Sequence, residues 1–226
     1  MYHCLQNEGA MPMVAFEVEM QKGGGAAVKM MCRFFMHDDP VHESLYRITD
    51  RLSSLNIPHA VVGGMSLGAH GFERATTDVD ILVTPGGLKA LHEKLDGLGY
   101  LPPFTGSKNL RDTTTNVKIE FLVTGGYPGD GKPKPVSFPD PATCSNVIEG
   151  ISYINLETLM ELKLASGMSS LTRLKDLGDV IELNKIRKLG EDFADKLNPY
   201  VREKYLELCR AVLNDPNPHE GNSDFA

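Results

Sequence analysis

Two aspartates on one predicted strand are the residues of this sequence best suited to chemistry. Asp78 and Asp80 lie in the run Asp78-Val-Asp-Ile-Leu-Val83, and strand side chains alternate, so both carboxylates are expected on one face. Like charges this close repel each other unless a cation lies between them. Carboxylate oxygens suit Mg²⁺ or Mn²⁺, usually together with substrate phosphates. The pattern therefore predicts a metal site.

A glycine pair precedes the aspartates and follows another apolar run, Ala60-Val-Val62. Gly63 and Gly64 lack the β-carbon that would keep backbone N–H groups away from a phosphate. The helix expected after them offers its positive end, and Ser66 adds a hydroxyl donor. A glycine pair alone is more often a tight turn, and an isolated Asp-x-Asp is often a solvated strand edge. Their coincidence predicts a triphosphate held by the turn and metal ions held by the aspartates.

Taken together, these residues resemble a known family. Gly63-Gly-x-Ser66 followed by Arg74-x-Thr-x-Asp78-x-Asp80 looks like the signature of the nucleotidyltransferase fold related to DNA polymerase beta. The likeness is greatest to the minimal AbiEii-type nucleotidyltransferases and spans roughly residues 57 to 186.

The resemblance implies further site residues. A third carboxylate is expected from a later strand, and the run Val117 to Val123 offers Glu120, where the family more often has Asp. A helical lysine and a following Arg-x-Lys-Asp segment are matched by Lys163 and by Arg173-Leu-Lys-Asp176. The implied catalytic and metal ligands are Asp78, Asp80 and Glu120, and the implied nucleotide-binding residues are Gly63, Gly64, Ser66, Arg74, Lys163 and Arg173.

The cationic residues also have ordinary explanations. A helical lysine such as Lys163 usually faces water. The segment 173–179 could form a charge lattice in which Lys175 pairs with Asp179. Arg74 could pair with Glu73 or Asp78 and orient the metal ligands without touching substrate.

The activity implied by the resemblance is transfer of a nucleoside monophosphate from an NTP to a hydroxyl, with release of pyrophosphate. Glu120 is expected to act as general base or metal ligand, and Lys163 to neutralise the leaving pyrophosphate. The acceptor is a small molecule, an RNA 3′ end or a protein. AbiEii-like members are toxins of toxin–antitoxin pairs, so the resemblance implies an antitoxin partner. A homodimer is the other partner that we expect. The alternative is a catalytically silent nucleotide-binding sensor or partner-binding module.

Composition narrows the class of protein. With 226 residues and 41% hydrophobic content, the chain can bury a sizeable core. We expect a cytoplasmic protein with no membrane partner, because we find neither a bilayer-length apolar run nor a signal-peptide pattern. The formal net charge of −7 argues against a broad nucleic-acid footprint. The basic run Lys185-Ile-Arg187-Lys188 therefore fits a solvated helix face better than an RNA contact.

The resemblance implies an α+β protein with the nucleotidyltransferase fold, in which a small mixed β-sheet is flanked by helices and followed by a C-terminal helical segment. Apolar residues alternate over 14–20 and 28–34 around Lys22-Gly-Gly-Gly25, which predicts a β-hairpin; the rival is an extension with little role in the fold. We divide the chain into an N-terminal extension (1–37), a nucleotidyltransferase core (38–154), a C-terminal helical segment (155–213) and a disordered tail (214–226).

Local sequence patterns predict the remaining helices and strands. Helices are predicted from Pro40, from Pro85 with a buried stripe through Leu98, from Asn155, over 171–189 and over 199–213. Strands are predicted at 60–62, 78–83, 100–101, 117–123 and 152–155, with a turn over 111–116. Residues 125–135, rich in glycine and proline, are predicted to be a loop that contacts substrate or covers the site.

Overall fold

A computed structural model describes residues 16–214, and its central feature is a mixed β-sheet with helices on both faces. Within these residues the sheet has seven strands, in the order β3-β4-β5-β2-β1-β7-β6. The strands are β1 (His59–Val62), β2 (Asp78–Val83), β3 (Tyr100–Leu101), β4 (Leu110–Asp112), β5 (Lys118–Val123), β6 (Ser145–Ile148) and β7 (Ile151–Ile154). The pairs β2–β5 and β1–β7 are parallel, whereas the other neighbours are antiparallel. The predicted α+β class is confirmed.

Helices pack on both faces of this sheet, and five of those described begin at a side-chain cap. They are α1 (Phe16–Lys22), α2 (Gly24–Phe35), α3 (Pro40–Ser54), α4 (Gly63–Ala69), α5 (Pro85–Leu95), α6 (Pro141–Cys144), α7 (Leu156–Ser169), α8 (Leu174–Arg187) and α9 (Pro199–Leu213). Short 3-10 turns at Leu171–Arg173 and Glu191–Lys196 precede α8 and α9. Asp39 caps α3 and Asn155 caps α7, and both helices start where the capping patterns predicted.

Alternate residues of the central strands enter two different hydrophobic clusters. Val61 and Ile81 pack on the side of α3 and α5, whereas Val62 and Leu82 pack on the side of α7, α8 and α9. This period of two is the reason that Asp78 and Asp80 lie on the face of α7 to α9. The C-terminal helices thus share a core with the sheet, and the division at residues 38, 155 and 214 stays a prediction.

The predicted N-terminal hairpin is wrong, because residues 16–22 and 24–35 form α1 and α2. Ala27, Met30 and Phe34 recur at helical spacing, and these are the side chains of α2 that pack inward. Val28, which the alternation placed on one face with Met30 and Phe34, is 54% exposed. The extension is not peripheral either, since Phe34 is 3% exposed and joins the cluster of α3. The first residues of the predicted hairpin, like the predicted tail after Asn214, lie outside the described part.

Short strands and element ends account for the other differences. β4 and β6 were not predicted, and the turn predicted over 111–116 is shorter because Arg111 and Asp112 belong to β4. Both strands, of three and four residues, are too short to show a period of two. Leu98, predicted to belong to the buried stripe of α5, is 69% exposed because the helix has ended at Leu95.

Among the helices of residues 16–214, none combines the length and the apolar character needed to cross a bilayer.

Candidate active site

Three carboxylates meet on the α7-to-α9 face of the sheet. In the parallel pairing of β2 with β5, Asp80 is the direct partner of Glu120, and Asp78 lies two positions before Asp80. One carboxylate oxygen from each residue lies within 4.8 Å of the others. The structure therefore brings together the three acids that the sequence singled out.

The turn between β1 and α4 lies directly against these acids. Gly63 has a φ of +64°, and a β-carbon on it would overlap the carboxylate of Asp80. A β-carbon on Gly64 would lie 2.8 Å from the Oγ1 atom of Thr76. Thr76 in turn donates a hydrogen bond of 2.9 Å to Asp78 Oδ1. Both glycines are thus required by the close approach of the turn to the acidic strand.

Ser66 supports the turn from inside. Its side chain is fully buried, and its hydroxyl donates a hydrogen bond of 3.0 Å to the carbonyl oxygen of Gly63. The hydroxyl predicted to face a phosphate therefore has an internal partner, and Ser66 holds the shape of the turn.

A network of three cations and two carboxylates forms another wall of the site. Lys163 Nζ donates to Asp176 Oδ1 at 2.8 Å and to Asp179 Oδ2 at 2.6 Å. Arg74 binds Asp179 with two hydrogen bonds of 2.8 and 2.9 Å. Arg173 pairs with Asp176 at 2.8 Å. The network joins the loop before β2 to α7 and α8, and it has one positive charge in excess.

These contacts leave the cations of the network with different exposure to solvent. Lys163 is 8% exposed and its amine lies between two aspartates, so it is not the water-facing lysine of the ordinary explanation. The Arg173 side chain is 50% exposed. Asp179 pairs with Arg74 and Lys163 in place of the predicted rung from Lys175. Burial alone would raise the pKa of Asp176, but the charge and hydrogen bond of Lys163 hold that pKa below its usual range.

The acidic cluster is electrostatically unfavourable without a cation. Loss of hydration, followed by the charges of Asp78 and Glu120, raises the pKa of Asp80 to about 7, although Lys163 and Lys118 partly oppose the shift. Lys118 was missed by the sequence reasoning, and its amine pairs with Glu120. This hydrogen bond raises the pKa of Lys118. The sequence did contain an indication of this contact, because Lys118 lies two positions before Glu120 and hence on the same strand face.

The acids, the glycine turn and the cation network line one cleft of about 410 Å³. The loop 125–135 reaches this cleft through Tyr127, Pro128 and Gly129. Lys108 and Lys175 also line it. Lys175 belongs to the Arg-x-Lys-Asp segment, whereas no sequence pattern separated Lys108 from other surface lysines. The cleft thus places negative and positive groups where a metal-bound polyphosphate can be held.

No family model and no curated protein matches this chain. Among solved structures, ANT(2″)-Ia in complex with adenylyl-2″-tobramycin is similar with 13% identity and a TM-score of 0.47, over 76% of this chain and 95% of the other. An antigenic nucleotidyltransferase-like protein from Paracoccidioides brasiliensis is similar with 15% identity and a TM-score of 0.47, over 77% of this chain and 88% of the other. At these low identities, the chemistry of this chain has to be derived from its own residues.

Proposed function

We propose that this protein is a metal-dependent nucleotidyltransferase, with the fold of that name, which moves a nucleoside monophosphate from an NTP to a hydroxyl and releases pyrophosphate. The observation that carries the proposal is the meeting of Asp78, Asp80 and Glu120 beside the Gly63-Gly64 turn, in one cleft with a cation network. Acids alone suit many metal sites. The turn and the cations add what a triphosphate requires.

Asp78, Asp80 and Glu120 would hold Mg²⁺ or Mn²⁺. The fit rests on three oxygen donors within 4.8 Å of one another and on their repulsion, which contributes to the raised pKa of Asp80. When bound, such an ion stabilises negative charge on the reacting phosphate and makes the acceptor hydroxyl easier to deprotonate.

The residues of the chain then have separate roles. Backbone N–H groups of the Gly63-Gly64 turn orient the β- and γ-phosphates. Glu120 accepts the proton of the acceptor hydroxyl. At the same time the hydroxyl oxygen bonds to the α-phosphorus, and the bond from this phosphorus to pyrophosphate breaks. Arg173, the more exposed cation, neutralises the departing pyrophosphate, whereas Lys163 and Arg74 hold the network in place.

The second candidate is a catalytically silent module that binds nucleotide. The observation in its favour is the ion pair between Lys118 and Glu120, because a lysine can stand in for a metal ion at the third acid. The acceptor class, AbiEii-type membership, an antitoxin or homodimeric partner and a cytoplasmic location all stay predictions from the sequence.

Incubation with each α-³²P-labelled NTP and Mg²⁺ or Mn²⁺ tests the proposal, with total RNA, a cell extract or hydroxylated small molecules as acceptors. We expect label on one acceptor class and equimolar pyrophosphate, both lost in Asp80→Asn and kept in the exposed control Asp96→Asn. Binding of NTP by equilibrium dialysis without label transfer would favour the silent module. If the protein neither binds NTP nor transfers label, both candidates are overturned.

A further inference from the structure

A second cluster of metal-ligating side chains lies outside the proposed active site. His37 is in the turn between α2 and α3, His42 is in the first turn of α3, and Glu73 is in the loop between α4 and β2. One ligand atom from each lies within 4.8 Å of the others. Sequence reasoning missed this cluster because Glu73 is 36 positions from His37, and only the packing of α2 and α3 against the loop brings them together.

His42 is oriented by a buried carboxylate. Its Nδ1 atom lies 2.5 Å from Asp39 Oδ2, while Asp39 Oδ1 accepts a hydrogen bond of 2.7 Å from the N–H of Val41. Asp39 is 5% exposed and His42 is 6% exposed. An ionised carboxylate can only accept, so in the neutral imidazole Nδ1 carries the proton and Nε2 has the free lone pair. This carboxylate–histidine arrangement is the one that supports metal-binding histidines.

His37 and Glu73 supply two more donors at the surface. His37 Nε2 lies 2.5 Å from Glu73 Oε1, and the ring of His37 stacks on that of His42 with centroids 4.3 Å apart. A ring nitrogen binds a metal in the plane of its ring, so His37 has to rotate out of this stack when an ion binds. Its half-exposed side chain permits the rotation.

The cluster has an aromatic ring on one side and a cavity on the other. The ring of Phe34 packs 4.8 Å from that of His42, which shields one side of the cluster from water. The other side faces a cavity of about 740 Å³, lined by His37, His42 and Glu73, through which an ion can enter.

We propose that His37, His42 and Glu73 bind a divalent transition-metal ion, with Zn²⁺ as the best match. Two imidazoles and one carboxylate are a donor set for Zn²⁺, whereas Mg²⁺ prefers oxygen alone. Water fills the fourth position. The ion ties the α2–α3 turn to the loop that continues from Glu73 into Arg74, the residue that binds Asp179. The metal therefore anchors this loop whether or not the neighbouring cleft transfers nucleotides.

The test uses the full chain after treatment with a chelator. Zn²⁺ affinity is measured by competition with a chromophoric chelator, and Co²⁺ is added to record the visible absorption of a tetrahedral site. We expect one Zn²⁺ per chain, a Co²⁺ spectrum of tetrahedral intensity and a higher Tm with Zn²⁺. Excess Mg²⁺ should not compete.

Variants separate this site from the acidic cluster. The exposed ligands are tested with His37→Ala and Glu73→Gln, and each should lose most of the affinity, whereas Asp39→Asn should lower it by about 10- to 100-fold. His92→Ala, at a partly buried histidine of α5 outside the cluster, and Asp80→Asn should bind Zn²⁺ like the unchanged chain. Circular dichroism confirms that each variant is folded. The proposal would be overturned if Zn²⁺ bound no more tightly than millimolar. It would also be overturned if His37→Ala and Glu73→Gln bound Zn²⁺ as tightly as the unchanged chain, or if Asp80→Asn lost binding instead.

Discussion

Asp80 on β2 and Glu120 on β5 are direct partners in a parallel strand pair, so both side chains leave the sheet on the same face. Their proximity is fixed by backbone register. Changing the chemistry of one side chain therefore need not disturb the sheet, which makes Glu120 a suitable first test.

Glu120→Gln removes the proposed general base while keeping the size of the side chain. We expect NTP binding to persist and turnover to fall by about 10²- to 10⁴-fold, the usual contribution of a general base. Pyrophosphate release under saturating NTP measures turnover. Glu93→Gln on the exposed surface of α5 is the control and should be unaffected. An unchanged rate in Glu120→Gln would place the base elsewhere.

Gly63→Ala should disrupt the turn against Asp80. The new β-carbon overlaps the Asp80 carboxylate, and alanine at a φ of +64° is strained, so we expect a loss of NTP binding. The free energy of unfolding should fall by about 1–3 kcal/mol. Gly68→Ala is the matched control, because Gly68 lies in the same helix with nothing within 4 Å of its β-carbon position. That change should leave binding intact and stabilise the protein by about 0.5–1 kcal/mol. Urea denaturation and nucleotide titration distinguish the two, and equal effects would argue against the steric explanation.

The stability of the metal-free protein should depend on pH through Asp80. Its pKa rises from an ordinary value of 3.8 to about 7 in the folded chain, so the folded state binds more protons than the unfolded state between these values. The free energy of unfolding contributed by this group therefore decreases as pH rises from 3.8 to 7 and is level outside that window. Urea denaturation at successive pH values, with a chelator present, measures the slope. Asp80→Asn should remove this component, and an unchanged slope would contradict the assignment.

Lys163 and Arg173 should separate stability from nucleotide binding. Lys163→Met leaves Asp176 and Asp179 with less compensation in a buried site, which should lower the free energy of unfolding by about 3 kcal/mol. Arg173→Ala removes a cation with a half-exposed side chain, so stability should change little while NTP affinity falls. Thermal unfolding and NTP titration are read on both variants. The reverse pattern would make Arg173 the structural residue and Lys163 the phosphate contact.

Local sequence determined the features that depend only on neighbours along the chain. The alternation of Asp78 and Asp80 follows from strand geometry, and the starts of α3 and α7 follow from the caps Asp39 and Asn155. Such signals involve residues a few positions apart, whose relative positions are set by backbone geometry.

Tertiary packing decided the rest. It placed Glu120 opposite Asp80, buried Lys163 between two aspartates, and brought Glu73 to His37 and His42. It also selected helices where alternation indicated a hairpin, and in α2 the ring of Phe34 is buried in the cluster that contains α3. Strand register and ion pairing join segments far apart in sequence, and their free energy depends on desolvation at the contact. A local pattern carries no information on that desolvation.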